Sequence, residues 1–219
     1  MSSHATAAHR PVHSIGFTLG VIALCVAVGA TGLAYIIDAV GRAARRADSA
    51  SVVVRTLGET PLTIPAAWLA SDPGDDSSFA RQIDLAISIP IGAEGAPRRI
   101  DVTLTQRSRV RPSASLLDGV YLHQFQPAQL SGPVGLIGKP LEARDGYENE
   151  TVWYDPINPS PFVAKCSAPI ADGQPGRCLR TVYLGPGIAA VYGFDDDVLV
   201  NWKKFDAELH PLLAKIGAL

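Results

Sequence analysis

Apolar and polar residues along this chain follow three regimes. Residues 15–37 carry no charged side chain; several later segments alternate with a period of two; the last twenty positions repeat every three or four. A helix rising ~1.5 Å per residue needs roughly 20 apolar residues to cross the hydrocarbon of a bilayer, so 15–37 predicts one transmembrane helix. The run exceeds the 7–15 residues, roughly, of a cleavable signal core, although Val28-Gly29-Ala30 offers small residues for cleavage. A lipid-anchor signal needs a small residue before its cysteine, and Leu24 precedes Cys25. The runs 83–91 and 188–194 are too short to span, so one crossing is expected.

Ile83, Leu85, Ile87 and Ile89 alternate with Asp84, Ala86 and Ser88, and Ile100, Val102 and Leu104 repeat the pattern against Asp101, Thr103 and Thr105. That period puts one face of each strand in a core. The two are expected to form the central hairpin, joined by the loop 92–97. Short β-rich runs at 51–56 and 61–64 flank Gly58, a second hairpin signal. Leu116, Leu117, Val120 and Tyr121 fall at helical spacing behind Ser113, a predicted N-cap. Residues 162–166, 178–184 and 188–194 read as three consecutive antiparallel strands. Val198, Trp202, Phe205, Leu209, Leu212 and Ile216 then recur at alternating steps of four and three, the stripe of an amphipathic helix. Asp195, Asp196 and Asp197 are expected to cap it, and Pro211 to kink or break it near His210.

The predicted fold class is α+β: an N-terminal transmembrane helix, then one β-rich antiparallel domain with the C-terminal amphipathic helix packed on its sheet. The expected boundaries are a tail at 1–14, the membrane helix at 15–37, a juxtamembrane helix or linker at 38–50 and the domain at 51–219. The domain is long enough to bury a sizeable core, and most of the chain's 17 prolines and 20 glycines fall within it as loop punctuation. A net charge of -2 gives no nucleic-acid signature.

Orientation sets two signals against each other. Arg42, Arg45 and Arg46 follow the apolar run while only Arg10 precedes it, which by the Lys/Arg rule would put the domain in the cytoplasm. Cys166 and Cys178 point outward. They enclose a turn-rich loop with Pro169, Gly173, Pro175 and Gly176, at the mouth of an expected hairpin where opposed residues come within disulfide reach, and a bridge suits an oxidising compartment. Two buried free thiols are the alternative reading; zinc is a third, with His123 and His210 too few further ligands. The bridge decides for a periplasmic domain on a bacterial inner membrane.

Cys166, the segment Cys178-Leu179-Arg180-Thr181-Val182, the apolar stretch 188–192 and Trp202 follow one another in an order that resembles a group of uncharacterised single-pass envelope proteins of proteobacteria. The resemblance covers about a quarter of the chain. It implies an envelope location and carries no activity.

Candidate chemistry is sparse. His123 and His210 are the only imidazoles beyond the tail, and no serine lies in a Gly-x-Ser-x-Gly context. Asp195–Asp197 lack the spaced ligands of a calcium loop, and Asp145, Glu148 and Glu150 read as a solvated loop. No cofactor, metal or catalytic residue is predicted. Arg107, Arg109 and Arg111 would share a face if the strand from Ile100 reached them, and with Arg98 and Arg99 could meet anionic headgroups or a wall polymer. Within the membrane run, Gly16, Gly20, Ala23, Ala27, Ala30 and Ala34 put small residues on one helix face, where a membrane-protein partner or second copy can approach closely. The expected function is a non-enzymatic envelope protein, a binding, scaffold or accessory subunit held by the bilayer. The alternative is a tethered envelope hydrolase using His123, which would require His123 beside both a serine or water and a carboxylate in a concave site.

Overall fold

The alternating segments fold as strands. The computed structural model describes residues 51–70, 78–143, 149–171, 173–185 and 187–219; the expected tail, transmembrane helix and linker at 1–50 lie outside them. Strands β1 (Val52–Leu57) and β2 (Thr60–Pro65) form the hairpin expected around Gly58, whose φ of 64° is the left-handed turn conformation that glycine adopts without strain. The short β3 (Phe79–Ala80) pairs parallel to β1, giving a three-stranded sheet.

The larger sheet has seven strands: β4 (Gln82–Ile89), β5 (Arg98–Gln106), β6 (Ile137–Pro140), β7 (Glu150–Tyr154), β8 (Val163–Ser167), β9 (Arg177–Tyr183) and β10 (Ile188–Asp195). Their order is β4-β5-β10-β9-β8-β7-β6, and every pair is antiparallel. Two helices complete an α+β fold, α1 (Ser113–Gly119) and α2 (Trp202–Lys215).

Several expectations need correction. The β4–β5 hairpin stands at one end of the sheet, and β9 and β10 hold its middle. Strand β10 pairs with β5 on one side and β9 on the other, and the side chains of Arg177, Asp101 and Leu179 lean over the small Gly193 on its outer side, so its residues are buried almost without interruption. Strands β6 and β7 were not expected. Gly138 and Pro140 mask β6, yet the glycine is required there, because a Cβ would sit 2.5 Å from the Trp153 ring on the neighbouring strand. Ser113 does not cap α1. Its Oγ instead accepts the Thr181 backbone N–H at 2.8 Å, tying the helix to β9. Helix α2 runs through Pro211 without a break. Ala207, whose carbonyl loses its donor, is exposed, so water can replace the lost bond.

One face of the seven-stranded sheet carries the main core. Ile83, Leu85, Ile87 and Ile89 of β4, Ile100, Val102 and Leu104 of β5, and Ala190, Tyr192 and Phe194 of β10 are all buried there. Phe205, Leu209, Leu213 and Ile216 of the C-terminal stretch and Leu57, Leu62 and Ile64 of the small sheet belong to the same cluster. The Phe205 ring lies 4.9 Å from Phe194 and 5.5 Å from Tyr192, so the predicted stripe is covered by the sheet. A second, smaller cluster lies between α1 and the other end of the sheet, with Leu117, Tyr121, Leu141, Val152 and Val163.

Candidate functional site

Cys166 and Cys178 are directly opposed on β8 and β9 and form a disulfide, with Cα atoms 3.9 Å apart. Both are buried. Two residues further along β9, Arg180 projects to the same face and is only 7 % exposed. Its guanidinium grips Asp206 of α2 through both carboxylate oxygens, Nη2 donating to Oδ2 at 2.8 Å, and lies 4.6 Å from the centre of the Phe162 ring. A buried cation needs such pairing, since an isolated charge is costly to remove from water. Sequence reasoning missed this pair. The signal was present: Arg180 occupies a core-facing position between Cys178 and Val182, and Asp206 adjoins Phe205 on the stripe.

The charged residues of the opposite face pair with each other. Arg177 donates to Asp101 at 2.7 Å and to Asp195 at 2.8 Å, and Arg99 donates to Asp101 at 2.8 Å. Arg98, at the start of β5 on the side of Ile100, donates to Asp197 of the 3-10 helix that follows β10 at 2.7 Å. Partial burial alone would raise the Asp101 carboxyl, but hydrogen bonds and attraction from Arg99 and Arg177 outweigh it and hold the group below its ordinary range. The bond from Asp195 leads in raising Arg177 above its ordinary value, against burial and with help from Asp101. Asp195 and Asp197 therefore serve arginines. The six-residue 3-10 helix Asp196–Asn201 that precedes α2 has no side-chain cap, which corrects the capping expectation.

The arginine face does not form as expected. Strand β5 ends at Gln106 and the chain turns into the 3-10 helix Arg107–Arg109, so alternate projection is lost. Arg107 instead lies 4.0 Å over the Tyr183 ring, whose hydroxyl donates to the Val110 carbonyl. Glu150 opens β7 and accepts from Lys165 at 2.6 Å, so it belongs to a half-buried ion pair on the sheet, not to a solvated loop. Asp145 and Glu148 lie outside the described residues, as do Cys25 and the small-residue set Gly16, Gly20, Ala23, Ala27, Ala30 and Ala34.

His123 is exposed on the 3-10 helix Tyr121–Gln124. His210 is half-exposed, 3.8 Å from Asp206 on the same helix. Neither imidazole lines the two grooves that come closest to a concave site. One, of about 760 Å³, runs between the β1–β2 turn at Gly58 and Glu59 and the end of β5 at Gln106–Ser108. The other, of about 280 Å³, opens where β8 and β9 part, between Ser113, Pro161, Val163 and the β9 residues Arg180–Tyr183. Ser113 is already committed to Thr181, and Arg180 to Asp206. The larger groove presents Glu59, Gln106 and Arg107 beside the hydroxyls of Thr60 and Ser108, and the smaller one hydroxyls and short apolar patches. Among the described residues no group of acids, histidines and cysteines is placed to hold a metal ion. No described helix is long and apolar enough to cross a membrane.

No protein-family model matches the chain, and no curated protein matches it in sequence. Among solved structures, the crystal structure of the Neisseria meningitidis iron-regulated outer membrane lipoprotein FrpD is similar over 78 % of this chain and 92 % of that chain, with 10 % sequence identity and a TM-score of 0.47. A likeness of that size assigns neither a fold family nor a function.

Proposed function

We propose that the chain is a membrane-anchored envelope protein of the bacterial inner membrane whose β-rich domain faces the periplasm and works as a binding, scaffold or accessory subunit. The disulfide carries this reading. It joins two buried, directly opposed cysteines of the core, and such bonds persist where thiols are oxidised and are rare where glutathione keeps them reduced. The apolar run at 15–37 supplies the anchor, and its face of small residues suits a membrane-protein partner or a second copy. Binding is favoured over catalysis because neither groove sets a histidine or a cysteine beside its hydroxyls and charged groups, and His123 stands on an exposed turn away from both.

The test is a pair of C-terminal fusions in a bacterial host. Alkaline phosphatase, which matures only where disulfides form, should be active, and a fluorescent protein that matures only in the cytoplasm should stay dark. The reverse result would remove the envelope location. Cross-linked complexes purified from native membranes should then contain the chain together with a membrane protein or a second copy.

A further inference from the structure

The small sheet buries one face and leaves the other apolar. Leu57, Leu62 and Ile64 point into the core, while Val52 and Val54 of β1 are 62 % and 57 % exposed on the opposite face. Phe79 of β3 is aligned with Thr56 in the parallel pair, so it projects on that same side, and it is 74 % exposed. Scattered exposed apolar residues need no explanation; three in register on one face of one small sheet do.

We infer that this face rests on the bilayer, at the boundary between headgroups and acyl chains. The inference rests on the anchor reading above. Residues 38–51 are the only chain between the apolar run and β1, and a tether of that length reaches about 20 Å as helix and under about 50 Å fully extended. Strand β1 is therefore the first described element after the anchor. The patch is far smaller than the roughly 800 Å² per partner of a stable protein interface, so it is a poor candidate for a free partner or a dimer. A tether changes that requirement, because a surface already held close is bound at high effective concentration. Along β1 and β2 the bordering positions on the face are Thr56, Thr63 and the prolines Pro61 and Pro65, so the contact is chiefly apolar, like that of an interfacial helix face, with exposed Arg81 beyond β3 the nearest basic residue in sequence to Phe79.

The test uses the full-length chain with Cys25→Ser and Val54→Cys, so that the new thiol is the reactive one. It is labelled with an environment-sensitive nitrobenzoxadiazole fluorophore and reconstituted in phosphatidylcholine liposomes. A comparison chain carries the label at Ile157→Cys, an 88 % exposed position elsewhere on the domain. Lipids bearing a shallow nitroxide should quench the label at 54 several-fold more than the label at 157, and adding phosphatidylglycerol should change this little. Phe79→Asp should release the label at 54 while the protein still floats with the liposomes. If the protein floats but both labels are quenched alike by aqueous iodide, the inference falls and the anchor stands. If it fails to float, both fall. Self-quenching that grows with the protein-to-lipid ratio, without nitroxide quenching, would give the face to a second copy and overturn the inference.

Discussion

The two faces of the seven-stranded sheet are made by the same strands and held by different forces. The face toward α2 is a continuous apolar cluster running from β4 to β8, sealed by Phe205, Leu209 and Leu213 and by the small sheet. The other face is apolar only at the β6–β8 end, where Leu117 of α1 and Tyr121 just after it close over Leu141, Val152 and Val163. From β4 to β9 it is open. There Arg99, Asp101, Arg177 and Asp195 form a chain of ion pairs, and Leu179 is 50 % exposed. The lesson is one of magnitude. Removing apolar surface from water is worth about 25 cal/mol per Å², whereas an exposed ion pair is worth about 0.2–1 kcal/mol. Stability resides on the α2 face, and the open face is free to vary its chemistry.

Mutations can break that asymmetry in order of size. Phe205→Ala removes the ring that meets Tyr192, Phe194 and Phe162 and should cost about 3–5 kcal/mol, read as a lower urea midpoint with the slope unchanged. A variant that unfolds like the parent would mean that α2 does not seal the core. Replacing both Cys166 and Cys178 by alanine releases the β8–β9 staple across a separation of 12 residues and should cost roughly 3 kcal/mol, with the folded spectrum retained at low temperature.

Leu117→Ala tests the smaller cluster. With fewer neighbours to leave a cavity among, it should cost about 2 kcal/mol, the low end for a buried leucine, and a loss equal to that of Phe205→Ala would erase the contrast drawn above. Asp101→Asn is the smallest change, about 0.2–1 kcal/mol at pH 7. Its sign with pH is fixed: because the folded-state carboxyl is held below its ordinary value, its contribution is present above about pH 4 and is lost as the pH falls through the folded value. Urea curves of parent and variant should therefore differ at pH 7 and converge as the pH falls through the folded value.

Much of the fold was legible because burial on one face writes itself into sequence with a period of two or of 3.6. Ile83 to Ile89 and Ile100 to Leu104 lie where their periods put them, and of the stripe from Val198 to Ile216 the residues Val198, Phe205, Leu209 and Ile216 are buried while Trp202 and Leu212 are only partly so, Leu213 taking the buried place. Strands β6 and β7 were illegible for the converse reason. They are short, glycine and proline interrupt β6, and the Trp153 ring on β7 packs over Gly138 rather than into an apolar row. The candidate site was less legible still, since Ser113, Asp195 and Asp197 look like caps locally and spend their side chains on distant partners.

The sequence alone thus determined local quantities: the strand or helix character of the strongly periodic segments, which face of each is apolar, and that two cysteines stand at a hairpin mouth. These depend on the positions of residues within ten or so of one another, where periodicity and turn chemistry act. Strand order, the partners of the charged residues and the face left bare on the small sheet came only with tertiary structure. Alternation says that a strand has a buried side but not which strand lies beside it, so the placing of β10 against β5, more than eighty residues away, is decided by the whole core closing at once. The same closure brings Arg180 to Asp206 and Arg177 to Asp101, pairings that no local pattern encodes.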